Sequence, residues 1–381
     1  MADERVTSDP LLEELRIIAA RHDARVGVTD CAPFSAVREH IEERVASGAS
    51  GSLGFTFGDP DRATTPERSF PWATSIVVVA VPYLRDGDGG TAPRSVARFA
   101  DGDRYSGVRS LLGEIAEVLG GRGWRTEEVF DDDRLVDRAA AVRAGVAWWG
   151  KSSMALTPGL GPWFLIGSVV TDAPLQPTPT TERSCGTCVA CIPACPTDAI
   201  VAPGVIDARR CLAAVFQSRG AIDPDLREAA GIRVYGCDAC LTACPPGDRE
   251  LGRHREGAPP SAREILAFPD DELDAMTSHW YVPGRAMRFV RRNALVALGN
   301  EQDVANTGLL AGYLGHPDAL LRQHAAWALR RAPSVVAEAV LREALSVERD
   351  PEVRDEIEAS IGALAGHASP MNSSTLTRPI P

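Results

Sequence analysis

Residues 185–196, CGTCVACIPACP, are the most specific feature of the chain. Their four cysteines are separated by two, two and three residues, and proline follows the last one. In bacterial ferredoxins with two clusters, three closely spaced thiolates bind one cubane cluster and the fourth cysteine of the run binds the other. The stretch therefore predicts a bacterial-type, ferredoxin-like domain with two 4Fe-4S clusters.

A second run supplies the remaining ligands. Cys237-x-x-Cys240-x-x-x-Cys244-Pro245 contributes three thiolates, and Cys211 lies 26 residues upstream. Because the fourth cysteine of a run crosses to the other cluster, we expect two ligand sets. They are Cys185, Cys188, Cys191 and Cys244 on one cluster and Cys195, Cys211, Cys237 and Cys240 on the other. Zinc is the alternative because it also binds CxxC pairs, but the spacing of the first run favours iron and sulfur.

The composition favours a protein of the cytoplasm. The chain has 381 residues, of which 44% are hydrophobic, enough for two or three domains. Its acidic N-terminus does not look like a secretion signal, and its most apolar run, residues 75–83, is too short to span a bilayer. Cysteines at ligand spacing then indicate reduced thiolates rather than disulfides. We expect no membrane association.

Residues 1–175 predict an α/β domain. Its helical and strand patterns fall at residues 11–23, 75–83, 108–124 and 163–172. No strand is followed by the GxGxxG pattern of dinucleotide binding. The proline- and threonine-rich residues 173–184 then mark a boundary. The double-cluster domain is placed at residues 176–256.

Residues 257–366 contain a weak repeat. Arg291-x-Asn293-Ala294-x-x-Ala297-Leu298 recurs 31 residues later as Arg322-x-His324-Ala325-x-x-Ala328-Leu329, and a degenerate third copy follows near Arg354. Small residues at helical spacing let helix pairs stack, which favours α-helical HEAT-like repeats, although the usual period is about 40 to 47 residues. An ordinary helical bundle is the alternative. The polar tail, residues 367–381, is expected to be disordered.

The net charge of -12 argues against nonspecific coating of nucleic acid. Between residues 285 and 331, however, seven arginines face three acidic residues, a local formal charge of +4. An acidic protein with one basic face can still bind an RNA. The candidate phosphate ligands are Arg288, Arg291, Arg292, Arg322 and Arg330. The alternative is that these arginines cap helices and pair with acids inside the repeats.

In order and spacing, these motifs resemble the epoxyqueuosine reductases. The resemblance covers most of the chain and includes residues 58–83, DRAAAVRAGVAWWGKSS at residues 137–153, both cysteine runs and the two repeat motifs. It implies base-off cobalamin on the α/β domain, two 4Fe-4S clusters that supply it with electrons, and a HEAT-like domain that helps to hold a tRNA anticodon stem-loop. The reaction it implies is reductive deoxygenation of epoxyqueuosine to queuosine at the tRNA wobble position.

The resemblance also assigns roles to residues of the first domain. It places a general acid at Asp131, where Asp132 and Asp133 leave the register open and a solvated turn is the alternative. The remaining cofactor-binding candidates are Arg138, Trp149, Lys151, Ser152 and Ser153. Lys151 is the only lysine beside 39 arginines, and its compact ammonium fits a tight site where a planar guanidinium would not. A chance position on the surface is the alternative for Lys151.

Several positions depart from the family pattern. The chain has Gly-Asp-Arg-Tyr-Ser at residues 102–106, Arg134 in place of a proline, LAAVFQS after Cys211, and Pro-Pro-Gly after Cys244. Two rival functions therefore stay open. One is a corrinoid and iron-sulfur reductase with a small-molecule substrate, similar to reductive dehalogenases, and the other is an iron-sulfur electron carrier without catalysis. For the enzyme, we expect a monomer with an external electron donor such as a ferredoxin or flavodoxin.

Overall fold

The computed structural model describes residues 9–332 and 336–367. Within these ranges the strands are β1 Arg25–Asp30, β2 Ser75–Pro82, β3 Gly87–Gly89, β4 Thr126–Val129, β5 Trp148–Trp149, β6 Ala155–Leu156, β7 Phe164–Thr171, β8 Ile200–Ala202 and β9 Val205–Ile206. The helices of the first half are α1 Pro10–Ala20, α2 Ser35–Ala46, α3 Phe55–Gly58, α4 Pro60–Thr64, α5 Pro66–Ser69, α6 Tyr105–Gly120 and α7 Asp137–Arg143.

Helices dominate the second half of the chain. They are α8 Leu212–Phe216, α9 Pro224–Ala230, α10 Ala239–Thr242, α11 Pro245–Leu251, α12 Ala262–Ala267, α13 Asp270–Met276, α14 Arg288–Glu301, α15 Thr307–Tyr313, α16 Ala319–Arg331, α17 Ala337–Val347 and α18 Pro351–His367. None of the described helices combines the length and the apolar composition needed to cross a bilayer. Apart from His367, which ends α18, the tail that was predicted to be disordered lies outside the described residues.

The N-terminal sheet is antiparallel in every pairing, with the order β1-β2-β7-β4. In the central strand β2, residues 75–81 are all buried, as expected when both faces of a strand are covered. Side chains alternate between the two faces. Val77 and Val79 therefore pack with α1 and α6 on one face, while Ile76 and Val78 pack with α7 on the other.

Short turns and helices hold the two cysteine runs. Residues 185–195 form neither helix nor strand, and the β8–β9 hairpin follows them. Cys211 and Cys244 each precede the first residue of a helix, α8 and α11 respectively. Main-chain N–H groups at these helix starts point to the thiols and favour the thiolate form. The cysteines outside the first run are therefore also presented by tight local structure.

The C-terminal helices stack in layers. Helix α14 packs on α16, and α16 packs on α18. A Cβ atom on Gly299 would lie 2.7 Å from the Cα atom of Ala328, so glycine is required where α14 meets α16. Ala294 and Ala325, the equivalent alanines of the repeat, are completely buried. The small residues of the predicted repeat thus form the contact between successive helix layers.

Each repeat also carries an arginine that binds the main chain before its own helix. These arginines donate to carbonyl oxygens, Arg291 to Leu266 and Phe268, Arg322 to His316 and Pro317, and Arg354 to Leu345 and Glu348. An arginine suits this task because its fork of N–H groups reaches several acceptors at once. The repeat signal in the sequence therefore has a structural cause, the capping of each preceding segment.

One segment of the first domain belongs structurally to the second half. Residues 87–100 lie against residues 233–257, and Val96 and Ala100 are part of the hydrophobic core of the C-terminal helices. Arg98 is fully buried, and its guanidinium forms a salt bridge of 3.2 Å with Asp238. The predicted domain boundaries describe the order of motifs along the chain, but contacts cross them.

Candidate active site and cluster-binding loops

The first group of cysteines lies at the edge of the molecule. Burial raises the pKa of Cys244, and the nearby Cys185, Cys191 and Cys188 raise it further. Burial also raises the pKa of Cys191, which Cys185 and Cys188 reinforce. These four thiols therefore lie within electrostatic range of one another, and their assignment to one ligand set stays a prediction. Cys188 is exposed while the other three are partly buried, so this group lies near the surface.

The second group lies deeper. Burial raises the pKa of Cys240, and Cys237, Cys211 and Cys195 act on it in the same direction. The Sγ atom of Cys195 also accepts a hydrogen bond of 3.2 Å from the main-chain N–H of Ala199. The thiols of the second predicted set therefore also lie within electrostatic range of one another. The assignment of each thiol to an iron atom stays a proposal.

A single metal ion is the alternative to the two clusters. Among the described residues, no three His, Cys, Asp or Glu side chains converge closely enough to hold one metal ion. A tetrahedral zinc site, with Zn–S bonds of about 2.3 Å, would bring its sulfur atoms to about 3.8 Å from one another. In a four-iron cluster each thiolate binds a different iron atom, so the ligands stand farther apart.

A cavity of about 180 Å³ lies next to the N-terminal sheet. Aromatic and aliphatic side chains, including Phe130, Met154 and Phe164, form much of its wall. The carboxyl group of Asp131 and the guanidinium of Arg138 are among the polar groups that line it. A pocket with an apolar wall and few polar groups is typical of a cofactor or substrate site.

Asp131 lies in the loop between β4 and α7. Its φ angle of 52° is in the left-handed region, which residues other than glycine rarely adopt and which is common at functional sites. Burial raises its pKa and Asp132 raises it further, while the guanidinium of Arg109 opposes this effect. A carboxyl group in this environment retains its proton to a higher pH than an ordinary aspartate.

The two neighbouring aspartates have other partners. Asp132 accepts hydrogen bonds from Arg134, which lower its pKa despite the opposing effect of burial. Asp133 is exposed and forms a salt bridge of 3.3 Å with Arg62. Of the three consecutive aspartates, Asp131 is the one that lines the cavity. The geometry therefore supports the register chosen from the sequence.

The floor of the cavity connects to the second group of cysteines. Burial lowers the pKa of Arg138, and the nearby thiols of Cys211 and Cys240 oppose this effect. Asp137, its neighbour in α7, has a buried Oδ1 atom without a hydrogen-bond partner among the described residues. Burial raises the pKa of Asp137 well above its ordinary value, and Asp131 raises it further. A redox cofactor in this cavity would lie beside the second cluster.

Lys151 lies at the tip of the β5–β6 hairpin and faces the first group of cysteines. Its Nζ atom donates a hydrogen bond of 2.7 Å to the carbonyl oxygen of Gly186, which lies between Cys185 and Cys188. Lys151 is not among the described residues that line the cavity. Its predicted contact with cobalamin therefore stays a prediction without support from the geometry.

The other predicted residues of this hairpin surround the same tip. Ser152 is buried, and Ser153 has a left-handed φ angle of 63°. Trp149 is 43% exposed. Met154 and Ala155, which follow directly, line the cavity. The hairpin thus extends from the first cysteine run to the cavity wall, but binding of cobalamin by Trp149, Ser152 and Ser153 stays a prediction.

The arginines predicted to bind phosphate fall into two classes. Arg292 is fully buried and donates to carbonyl oxygens around the end of α8, and Arg291 is buried against Asp270. Their prediction as phosphate ligands is wrong, since a count of charges does not reveal which cations are already paired. Arg322 is held by Glu348. Of the five, Arg288 is exposed and Arg330 is partly exposed, so these two keep side chains that can reach RNA.

Three residues around the cavity were not identified from the sequence. The rings of Tyr105 and Phe130 lie 5.1 Å apart, and the guanidinium of Arg109 lies over both, at 5.9 and 5.7 Å from their centroids. Tyr105 and Arg109 are four residues apart on α6, a spacing that places them on one helix face. The sequence could have predicted that Tyr105 and Arg109 are neighbours on α6. It could not have predicted that they lie near Asp131, because that proximity depends on the tertiary fold.

Comparison with known families agrees with this arrangement. Residues 184–247 match the family described as a 4Fe-4S double cluster binding domain. Residues 288–362 match HEAT repeats. The predicted fold class is confirmed, including two 4Fe-4S clusters and HEAT-like helices. Fold and site together define an iron-sulfur redox enzyme with a helical repeat domain.

Similarity to characterised proteins identifies the family. The chain is 30% identical to the epoxyqueuosine reductase of Bacillus subtilis (strain 168) over 363 residues, which cover 89% of this chain and 92% of that protein. It superposes with a TM-score of 0.82 and 29% identity on an epoxyqueuosine reductase bound to an epoxyqueuosine-modified tRNA stem loop, covering 93% of this chain and 98% of that one. The chain belongs to the epoxyqueuosine reductase family, and the predicted family is confirmed.

A further structure concerns the catalytic loop. In one structure of the Bacillus subtilis epoxyqueuosine reductase, the catalytic loop that carries its catalytic aspartate is swung out of the active site. This chain superposes on that structure with a TM-score of 0.81 and 28% identity, covering 93% of this chain and 98% of that one. That structure shows that the catalytic loop of a relative changes position.

The lining of the cavity is chemically compatible with contact to one part of the cobalamin that this family uses, since a volume of about 180 Å³ accommodates only a part of that cofactor. Its apolar wall can pack on a corrin ring, and the unpartnered Oδ1 atom of Asp137 can accept a hydrogen bond from an amide group of the corrin periphery. Arg138 lines the cavity and lies within electrostatic range of Cys211 and Cys240. No histidine is among the described residues that line the cavity.

Proposed function

We propose that this protein removes the epoxide oxygen from epoxyqueuosine in a tRNA anticodon stem-loop and leaves queuosine. The position of Asp131 carries the proposal. It is the one member of three consecutive aspartates that lines the cavity, and the cavity adjoins the second group of cysteines. A relative that binds an epoxyqueuosine-modified tRNA stem loop supports the choice of substrate.

The reaction needs two electrons and two protons. Both carbon-oxygen bonds of the epoxide break, a carbon-carbon double bond forms, and the oxygen leaves as water. Asp131 donates the proton that neutralises the departing oxygen, and desolvation shifts its pKa upward, in the direction that suits a general acid. Cobalamin, when bound, supplies the low-valent metal centre that reduces the substrate carbon. Arg138 and Asp137 are proposed to hold that cofactor, together with Trp149, Ser152 and Ser153 of the hairpin.

Electrons are proposed to pass from the first cluster to the second. Cys188 is exposed, so an external donor such as a ferredoxin or flavodoxin can approach the first group. The second group acts electrostatically on Arg138 in the cavity floor. This order gives a path from the surface to the cofactor. We further propose that the enzyme works as a monomer in the cytoplasm, where its thiolates stay reduced.

The decisive test is an anaerobic assay of the cluster-loaded protein with cobalamin, a strong reductant and tRNA that contains epoxyqueuosine. Nucleoside mass spectrometry should detect a product lighter by one oxygen atom. Asp131→Asn should retain both clusters and cobalamin but lose at least about 100-fold in turnover, the usual contribution of a general acid. Asp133→Asn is the matched control, since Asp133 is exposed and paired with Arg62.

Two results would change the proposal. Normal turnover by Asp131→Asn would remove Asp131 from the role of acid. If the wild type binds clusters and cobalamin but leaves the tRNA unchanged, the small-molecule reductase becomes the better hypothesis. The burial of Arg291 and Arg292 is the observation that favours this rival, because it reduces the basic surface available to RNA.

A further inference from the structure

The β5–β6 hairpin connects the first group of cysteines with the cavity. At its tip the Nζ atom of Lys151 lies 2.7 Å from the carbonyl oxygen of Gly186. The carbonyl oxygen of Lys151 itself accepts a hydrogen bond of 2.8 Å from the main-chain N–H of Gly204, in the β8–β9 turn. One residue therefore binds both the first cysteine run and the hairpin that follows it.

Gly186 is the part of the cysteine run that this hydrogen bond fixes. It has a left-handed φ angle of 51°, which turns the chain between Cys185 and Cys188. The turn is closed by a hydrogen bond of 3.0 Å from the N–H of Cys188 to the carbonyl of Cys185. A charged donor on the Gly186 carbonyl strengthens this turn, because hydrogen bonds from an ammonium are stronger than neutral ones.

The charge of Lys151 lies beside the cysteine run. Its ammonium is held 2.7 Å from the carbonyl oxygen of Gly186, between Cys185 and Cys188. A cation at this position stabilises a negatively charged cluster bound by these thiolates. It does so more strongly when the cluster gains an electron, because the attraction grows with the negative charge.

We propose that Lys151 is a positioning residue for the first 4Fe-4S cluster, which fixes the cysteine turn at Gly186 and holds the reduction potential of this cluster above the value it would have without the ammonium. The proposal rests on the assignment of Cys185, Cys188, Cys191 and Cys244 to one cluster, but not on the identity of the substrate. The ammonium of Lys151 supplies both the hydrogen bond to the Gly186 carbonyl and the positive charge.

The test is a redox titration of the full-length, cluster-loaded protein, followed by electron paramagnetic resonance. Lys151→Met removes the charge and keeps the length of the side chain, and Lys151→Arg restores the charge. Arg342→Met is a matched control, because Arg342 is 62% exposed and forms its salt bridge with Glu338 of its own helix α17. Cys188→Ser and Cys237→Ser identify which signal belongs to which cluster.

In Lys151→Met the ratio of reduced to oxidised first cluster should fall about tenfold at a fixed potential. This change corresponds to a decrease of about 59 mV in the reduction potential of a one-electron couple. The second cluster supplies an internal reference and should not move. Lys151→Arg should recover most of the shift, and Arg342→Met should change neither cluster. If Lys151→Met fails to hold the first cluster but keeps the second, the positioning role is also supported.

Other outcomes overturn the inference. An unchanged potential of the first cluster in Lys151→Met would show that the ammonium does not act on it. Equal shifts of both clusters, or the same shift in Arg342→Met, would show a general effect of net charge. These readouts do not require tRNA, so they separate the role of Lys151 from the proposed function.

Discussion

Asp131 and Asp137 lie in the same cavity but differ in what surrounds them. Asp131 belongs to a loop, where Arg109 counteracts part of the effect of burial. Asp137 begins helix α7 and has one buried oxygen without a hydrogen-bond partner among the described residues. Burial and the neighbouring Asp131 raise the pKa of Asp137 well above its ordinary value. The folded protein therefore shifts the pKa of Asp137 upward from that of an ordinary aspartate.

Replacing Asp137 should reveal its raised pKa as a pH-dependent change in the stability of the protein. The pKa of Asp137 is raised in the folded protein, so the stability that its protonated carboxyl group contributes is fully present below the pKa of an unfolded aspartate, about 3.9. That contribution is lost as the pH rises through the pKa of Asp137 in the folded protein. Asparagine does not titrate. The thermal stability of Asp137→Asn, measured by circular dichroism on cluster-loaded protein, should therefore improve relative to the wild type between about pH 5 and pH 8.

The control for this experiment is Asp133→Asn, which removes an exposed carboxylate from the neighbouring loop. Asp133 pairs with Arg62 at the surface, where an ion pair contributes about 1 kcal/mol or less. Its substitution should therefore change stability by only a small amount. A difference between Asp137→Asn and the wild type that does not vary with pH over this range would contradict the raised pKa of Asp137.

Helix α8 shows, at the scale of an element, how the repeat domain supports the cluster domain. Cys211 precedes the helix, and the carbonyl groups at its other end are bound by Arg292 of α14. Arg292 also donates to the carbonyl oxygens of Ser218 and Gly220. The first repeat helix therefore holds the segment that presents one ligand of the second cluster.

Removing the guanidinium of Arg292 should destabilise the protein. Arg292→Met leaves several buried carbonyl groups without a donor, at roughly 1 to 3 kcal/mol each, so we expect a decrease of at least about 3 kcal/mol in the free energy of unfolding. Thermal unfolding measures the decrease, and iron retention should fall because Cys211 is no longer held.

Arg288→Met is the control for Arg292→Met. Arg288 is 46% exposed and pairs with Asp318, and an exposed ion pair contributes about 1 kcal/mol or less. Its substitution should therefore leave unfolding and iron content close to those of the wild type. Equal stability of the two variants would refute the supporting role of Arg292.

The sequence revealed the elements whose signals are local. The cysteine runs and the alanine repeat could be predicted because ligand spacing and helix packing follow short-range patterns. The role of Arg292 could not, because its acceptors lie more than 70 residues away along the chain. Likewise, three consecutive aspartates look alike in the sequence, and only the fold shows that Asp131 alone among them lines the cavity.

At the scale of the whole molecule, binding of RNA depends on the arginines that the repeats leave accessible. Arg288 and Arg330 are the remaining candidates. If they bind phosphates, Arg288→Glu combined with Arg330→Glu should weaken binding of the anticodon stem-loop. The slope of log affinity against log salt should fall by about one for each arginine that no longer binds a phosphate. Fluorescence anisotropy over a salt series measures the slope.

The control for RNA binding is Arg342→Glu, an equal change of charge at an exposed position of α17. It should alter the slope much less than the double variant. If all three substitutions leave the slope unchanged, RNA binds to another surface of the protein.

The contacts of residues 87–100 limit how the first domain can be recombined with other proteins. Arg98 from this segment is bonded to Asp238, and the main chain at Val96 lies beside Tyr235. A fragment that stops at residue 175 would lack these partners and would leave a buried cation and apolar side chains open to water. The first domain is therefore not a module that can be grafted onto a different electron-transfer unit: recombination that exchanges the cysteine runs must exchange residues 87–100 with them.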